Sequence, residues 1–215
     1  SHPFGKWVYD NLGYKKIAMI GYDFAFGWEV AAGFQRTFEE AGGQVVQKLW
    51  PPLGNADFSP YLAQLRRDVD AVYCVFSGAD ALRFSKQYTE AGLKGKLPLI
   101  GGGTFTDEHV LRTMGAEVLG VVTALHYSAA LATPANRKFA QAYEAKFKQT
   151  PSYYSEGSYV AGIALKVALE SIGGDVESAD KLLGALRRVD LSDAPRGPMR
   201  FDDFGNPIQN VYVRK

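Results

Sequence analysis

Three short stretches combine residue types that grip a small molecule without transforming it. Tyr22-Asp23-Phe24-Ala25-Phe26-Gly27 sets three rings within five residues. Ser77-Gly78 and Gly101-Gly102-Gly103-Thr104-Phe105 supply hydroxyls and unshielded backbone. Aromatic rings build flat apolar walls that suit an aromatic or branched apolar guest. Backbone N–H groups at helix starts hold a carboxylate without a formal cation. The candidate ligand-binding residues are therefore Tyr22, Phe24, Phe26, Ser77, Gly78, Gly102, Gly103, Thr104 and Phe105, with Tyr127 added because it follows a strand end. Each also has a plainer use. Rings pack cores and lids, and glycines make tight turns, Gly101 above all. Tyr154 is a weaker candidate of the same kind, and Tyr153 reads as packing.

Reactive chemistry lacks its parts. His2, His109 and His126 are scattered, and no His-x-x-x-His or clustered carboxylate suggests a metal. The Gly101–Gly103 run lacks the spacing of a dinucleotide fingerprint, no phosphate loop ends in Gly-Lys-Ser/Thr, and no Gly-x-Ser-x-Gly elbow exposes a serine. No enzyme activity and no cofactor are expected. The single cysteine, Cys74, excludes an intrachain disulfide and sits in an apolar strand as a small core residue. A net charge of +1 gives no electrostatic footprint for nucleic acid.

The three loops each follow a predicted strand: Lys16–Gly21, Asp70–Phe76 and Leu97–Ile100. Between them, apolar residues at spacing four (Val30, Phe34, Phe38) mark a helix over Gly27–Ala41, and Gly42-Gly43 ends it. Gln44–Trp50 reads as a second strand, Ser59 as the cap of a helix with Pro60 at its first position, and Ala79–Ala91 as a further helix. A helix over Glu108–Met114 and a strand over Val118–Leu125 follow. Strand-helix alternation with short connections makes a parallel, doubly wound sheet, and ligands lie outside the carboxyl ends of its strands. The three loops are thus expected on one rim.

After Leu125 the pattern changes. Helices are predicted over Pro134–Gln149, Ser155–Ile172 and Ser178–Arg188 with no strand between them, then a hairpin of Pro198–Asp202 and Ile208–Val213. Each helix has an apolar face, but the preceding sheet already has its own helices. Either the three form a bundle, or they cover a sheet whose strands lie outside this chain. Ser1-His2-Pro3, without Met, reads as a cut end.

Several motifs stand in the order of one family. Asp23-Phe24-Ala25-Phe26-Gly27 resembles a D-x-x-[YF]-G turn, and Asp57-Phe58-Ser59 with Leu62, Leu65 and Asp70-Ala71-Val72 resembles its next segment. Ala91-Gly92-Leu93, Gly101-Gly102, Gly115 to Gly120, Phe139 to Tyr143, Tyr159, and Gly197 to Phe201 with Gly205 continue in register. The chain resembles the leucine/isoleucine/valine-type, class I periplasmic binding proteins of ABC importers. The resemblance implies two α/β lobes joined by three crossovers. Residues 1–125 would form the C-terminal lobe, 126–191 the helices of an N-terminal lobe whose strands are missing, and 192–215 the hinge return and β-hairpin. It further implies a periplasmic or other extracytoplasmic location, a small-molecule ligand, a membrane permease as partner, and Phe26 as a ligand-contacting aromatic. Amino-acid binders of this family carry an acidic residue after the fourth strand, where Gly103 stands here. An aromatic or other organic acid is therefore expected rather than an α-amino acid. A branched-chain amino-acid binder, a ligand-sensing domain of a receptor or regulator, and an enzyme on a flavodoxin-like sheet are the alternatives.

Overall fold

A computed structural model describes all residues from Ser1 to Lys215. By its internal contacts the chain divides into two units, Ser1–Leu125 with Val213–Lys215, and His126–Tyr212. Unit 1 contains α1 (His2–Leu12), β1 (Lys16–Gly21), α2 (Ala25–Glu40), β2 (Gln44–Leu49), α3 (Ser59–Gln64), β3 (Ala71–Val75), α4 (Gly78–Glu90), β4 (Leu99–Gly102), α5 (Glu108–Leu111) and β5 (Val122–Leu125). Unit 2 contains α6 (Pro134–Phe147), α7 (Tyr153–Ser171), α8 (Ala179–Arg187), β6 (Asp190–Leu191), β7 (Met199–Phe201) and β8 (Pro207–Gln209). The last strand, β9 (Tyr212–Arg214), returns to the sheet of unit 1.

That sheet runs β2-β1-β3-β4-β5-β9, and its first five strands pair in parallel. Alternate residues feed opposite faces, as the two-residue period of a strand requires. Ala18, Ile20, Val72 and Cys74 pack with Phe58, Phe84 and Tyr88 beneath α3 and α4. Ile17, Met19, Ala71 and Tyr73 pack with Phe4, Phe34 and Phe38 beneath α1 and α2. Burial on both faces explains the near-continuous apolar strands. The helix after β1 lies on one face and the helix after β3 on the other. The two neighbouring loops therefore part between β1 and β3, which opens a crevice there.

Several boundaries differ from the sequence expectation. β4 begins two residues late because Leu97 still belongs to the preceding turn: its N–H donates to the Leu93 carbonyl, and its carbonyl accepts the Tyr88 hydroxyl. Val118 sits in a 3-10 turn, so β5 is only four residues long. Ser59 is inside α3 and does not cap it; its N–H is received by Asp57 Oδ1 at 2.9 Å. The predicted second hairpin strand is split. β8 pairs with β7, the chain turns at Asn210-Val211, and β9 joins the other sheet. The short β6, which the sequence pattern does not mark, pairs with β7 on its other side.

In unit 2 a small-residue row on α7, Val160, Ala164 and Ala168, packs with Ala185 of α8 and with Val189, Leu191 and Met199. Other apolar side chains of these helices, Tyr159, Leu165, Val167 and Leu183, remain exposed.

Candidate functional site

Hydrogen bonds tie the loops at the carboxyl ends of β1 to β4 together. The Tyr22 hydroxyl donates to the Ser77 carbonyl at 3.0 Å and accepts the Ser77 N–H at 3.1 Å, joining the β1 and β3 loops across the point where they part. The Asp23 N–H donates to the Pro51 carbonyl, which brings in the loop after β2. That loop is also held from α4: Asp80 receives the Gly54 N–H and the Arg83 guanidinium, and Arg83 donates to the Asn55 carbonyl. Thr104 Oγ1 donates to the Phe76 carbonyl at 3.0 Å, which brings in the loop after β4. The rim expected from the strand pattern is one continuous structure.

Its apolar wall is built from the first loop. The Phe24 ring lies 5.3 Å from Tyr22 and 6.1 Å from Phe26, the latter pair inclined by 30°. Tyr22 is buried, Phe26 partly so, and Phe24 is 36% exposed. Trp28 and, in the loop after β2, Leu53 are also exposed apolar residues, and Trp28 Nε1 donates to Asp23 Oδ1 at 3.2 Å. The sequence reading missed Trp28, Leu53 and the brace made by Asp80 and Arg83. Of these only Asp80 carries a signal, an acid in the first turn of a helix.

Several expected site residues do something else. The Ser77 N–H serves Tyr22, so of the Ser77-Gly78 pair it is not free for a carboxylate. Burial raises the Tyr22 pKa, against the Ser77 hydrogen bonds, with a small further push from Asp80. Its phenol stays neutral and acts as a brace. Gly78 opens α4 with φ at 55°, a left-handed value that favours glycine. At Gly103 a Cβ would lie 2.4 Å from Leu125 Cβ and 2.6 Å from the Ala124 carbonyl, so the absent side chain lets β4 and β5 approach. Gly102 is buried against Val30. Phe105 is wholly buried and packs toward Phe84, so it faces the core and not the rim. Tyr127 is also wholly buried. It lies in unit 2, where its hydroxyl donates to Asn136 Oδ1 at 2.9 Å and its ring meets Phe139.

The acidic groups after β4 are engaged. Asp107 is buried and caps α5 by accepting the His109 N–H. Glu108 Oε1 receives Arg214 from β9 at 2.9 Å, with both side chains about nine-tenths buried. No group of three or more His, Cys, Asp or Glu side chains is placed to hold a metal ion, and no helix is long and apolar enough to cross a membrane.

The profile of the Periplasmic binding protein family matches residues 1–215. This chain belongs to that family. A curated relative, the Leu/Ile/Val-binding protein homolog 6 of Brucella melitensis biotype 1, is 31% identical over 221 residues, covering all of this chain and 56% of the relative. A solute-binding protein of an ABC transporter from R. palustris, solved with benzoate, matches at TM-score 0.91 and 32% identity over 98% of this chain and 57% of its own. Another, from Rhodopseudomonas palustris BisB5, solved with 3,4-dihydroxybenzoic acid, matches at TM-score 0.90 and 35% identity over 99% and 59%. This member of the periplasmic binding protein family thus spans little more than half the length of the relatives it matches. Its α/β architecture, dominated by a parallel sheet, is that of part of a type I periplasmic binding protein.

Proposed function

We propose that this chain contributes one wall of the binding cleft of a periplasmic solute-binding protein, and that the captured ligand is an aromatic carboxylate. The other wall would come from a lobe whose strands this chain does not contain. Residues 126–191 would supply helices to that lobe; the exposed Tyr159, Leu165, Val167 and Leu183 support this reading, since such side chains need a sheet to cover them. The lobes would close on the ligand through contacts made only in the closed state, and a membrane permease would read the closed form.

The observation that carries the choice of ligand is the engagement of the carboxylates after β4. An amino acid brings an ammonium group, which once buried needs an anionic partner; leaving it unpaired costs several kcal/mol. Glu108 is already paired with Arg214, and Asp107 is buried as a helix cap. The Phe24 and Phe26 rings, backed by the buried Tyr22, instead offer a surface that suits a benzene ring. The benzoate and dihydroxybenzoate complexes of the two R. palustris relatives agree with this reading. Titration calorimetry on the complete protein tests it. Benzoate or 4-hydroxybenzoate should bind at micromolar or tighter Kd and leucine should not. Tight leucine binding with no heat from the benzoates would overturn the assignment.

A further inference from the structure

The chain passes between its two units twice, at Leu125–His126 and at Tyr212–Val213. Within unit 2, both crossings converge on one buried ion pair. Arg196 Nε and Nη2 donate to the two carboxylate oxygens of Glu156, at 3.0 and 2.5 Å, with the arginine side chain 8% exposed and the glutamate wholly buried. A bidentate pair fixes the guanidinium plane, which a single contact would not do. The remaining nitrogen, Nη1, donates to Gln209 Oε1 at 2.8 Å, at the last residue of β8. The Arg196 carbonyl accepts the Tyr212 hydroxyl at 2.7 Å, at the first residue of β9. One residue therefore holds both ends of the segment Gln209–Tyr212 that carries the chain out of unit 2. The next residue makes room for this grip. Gly197 has φ at 91°, and a Cβ there would lie 2.9 Å from the Tyr212 hydroxyl and 3.2 Å from Asn210 Nδ2. The inbound crossing meets the same place: the His126 ring stands edge-on to Tyr153 at 5.7 Å, and Tyr153 lies three residues before Glu156 on α7.

A buried ion pair is weak grounds for a stability role, since desolvation offsets much of its attraction. What this pair provides is position. We infer that Arg196, oriented by Glu156, is a positioning residue for ligand capture, because it holds the connector Gln209–Tyr212 by both ends and so limits how the chain bends between its units. The role rests on the solute-binding reading above. A hinge absorbs its motion in a few backbone torsions. A connector pinned at both ends confines that bending and lengthens the life of the liganded state.

The test uses the complete protein and three variants: Tyr212→Phe, Gln209→Ala and Arg196→Lys. The first two each release one end, and the third keeps the charge but loses the planar fork. Amide hydrogen exchange across residues 210–213 should speed up about tenfold in each, while amides of α7 keep their protection. Dissociation of 4-hydroxybenzoate, followed by stopped flow, should speed up about fivefold. Unchanged exchange across 210–213 would overturn the inference. So would faster exchange with an unaltered dissociation rate, or a parallel loss of protection throughout α7, which would mark a merely structural pair. If the unmodified protein binds no benzoate, the solute reading for aromatic acids fails by itself, and the exchange pattern alone decides whether Arg196 holds the connector.

Discussion

The phenol of Tyr22 engages Ser77 in both directions, giving its hydrogen to the carbonyl and taking the hydrogen of the N–H, although 55 residues separate them in the chain. The two loops of the crevice between β1 and β3 thus share one buried hydroxyl. Tyr22→Phe keeps the ring against Phe24, Phe26 and Phe76 and removes both bonds. The expected loss is about 1–2 kcal/mol in urea unfolding, since two backbone groups lose their partner. An unchanged midpoint would show that the brace contributes nothing.

Two glycines should answer oppositely to the same added methyl group. Gly103→Ala drives a Cβ into Leu125 and the Ala124 carbonyl and should destabilise by about 1–3 kcal/mol, as β4 and β5 are forced apart. Gly162 lies exposed on α7, where a Cβ meets nothing within 4 Å. Gly162→Ala should stabilise by about 0.5–1 kcal/mol through helix propensity. Thermal and urea unfolding of both variants measure the contrast.

Arg214→Met takes the guanidinium partner from the nearly buried Glu108 and should cost about 3–5 kcal/mol near neutral pH. Arg214→Met combined with Glu108→Leu should recover most of that loss, because no buried charge then remains. Denaturant midpoints for the single and double variants give the answer; a double variant as weak as the single would point to packing and not to charge.

His126 predicts a pH dependence. Burial, followed by the nearby Arg196 charge, lowers its pKa to about 4 from an unfolded value near 6.5. Between these values the unfolded chain binds more protons than the folded one, so this residue's contribution to stability is present above about pH 6.5 and is lost as pH falls toward about 4. Glu156 works the other way, because burial raises its pKa despite Arg196. The comparison of wild type with His126→Asn isolates the histidine: the stability difference between them should shrink as pH drops through that window. A constant difference from pH 7 to 4 would contradict the assigned burial.

Much of unit 1 was legible along the chain. The apolar strands, the Val30, Phe34 and Phe38 stripe and the glycine stops are local signals, set by side-chain period and backbone freedom within a few residues. They suffice for a parallel doubly wound sheet and for placing the Tyr22, Ser77 and Gly102 loops at its carboxyl ends. Which way a side chain points within such a loop is not a local property. Phe24 and Phe105 are the same residue type in similar settings, yet one lines the rim and the other fills the core beside Phe84. Glu108 resembles any first-turn helix acid until β9 delivers Arg214 from 106 residues away. The grip of Arg196 on Glu156, Gln209 and Tyr212 likewise joins positions as far as 40 residues apart. Periodicity and turn chemistry are written in neighbouring residues. The pairing of buried polar groups is decided only once the packed chain has excluded water and left each group the partners within its reach.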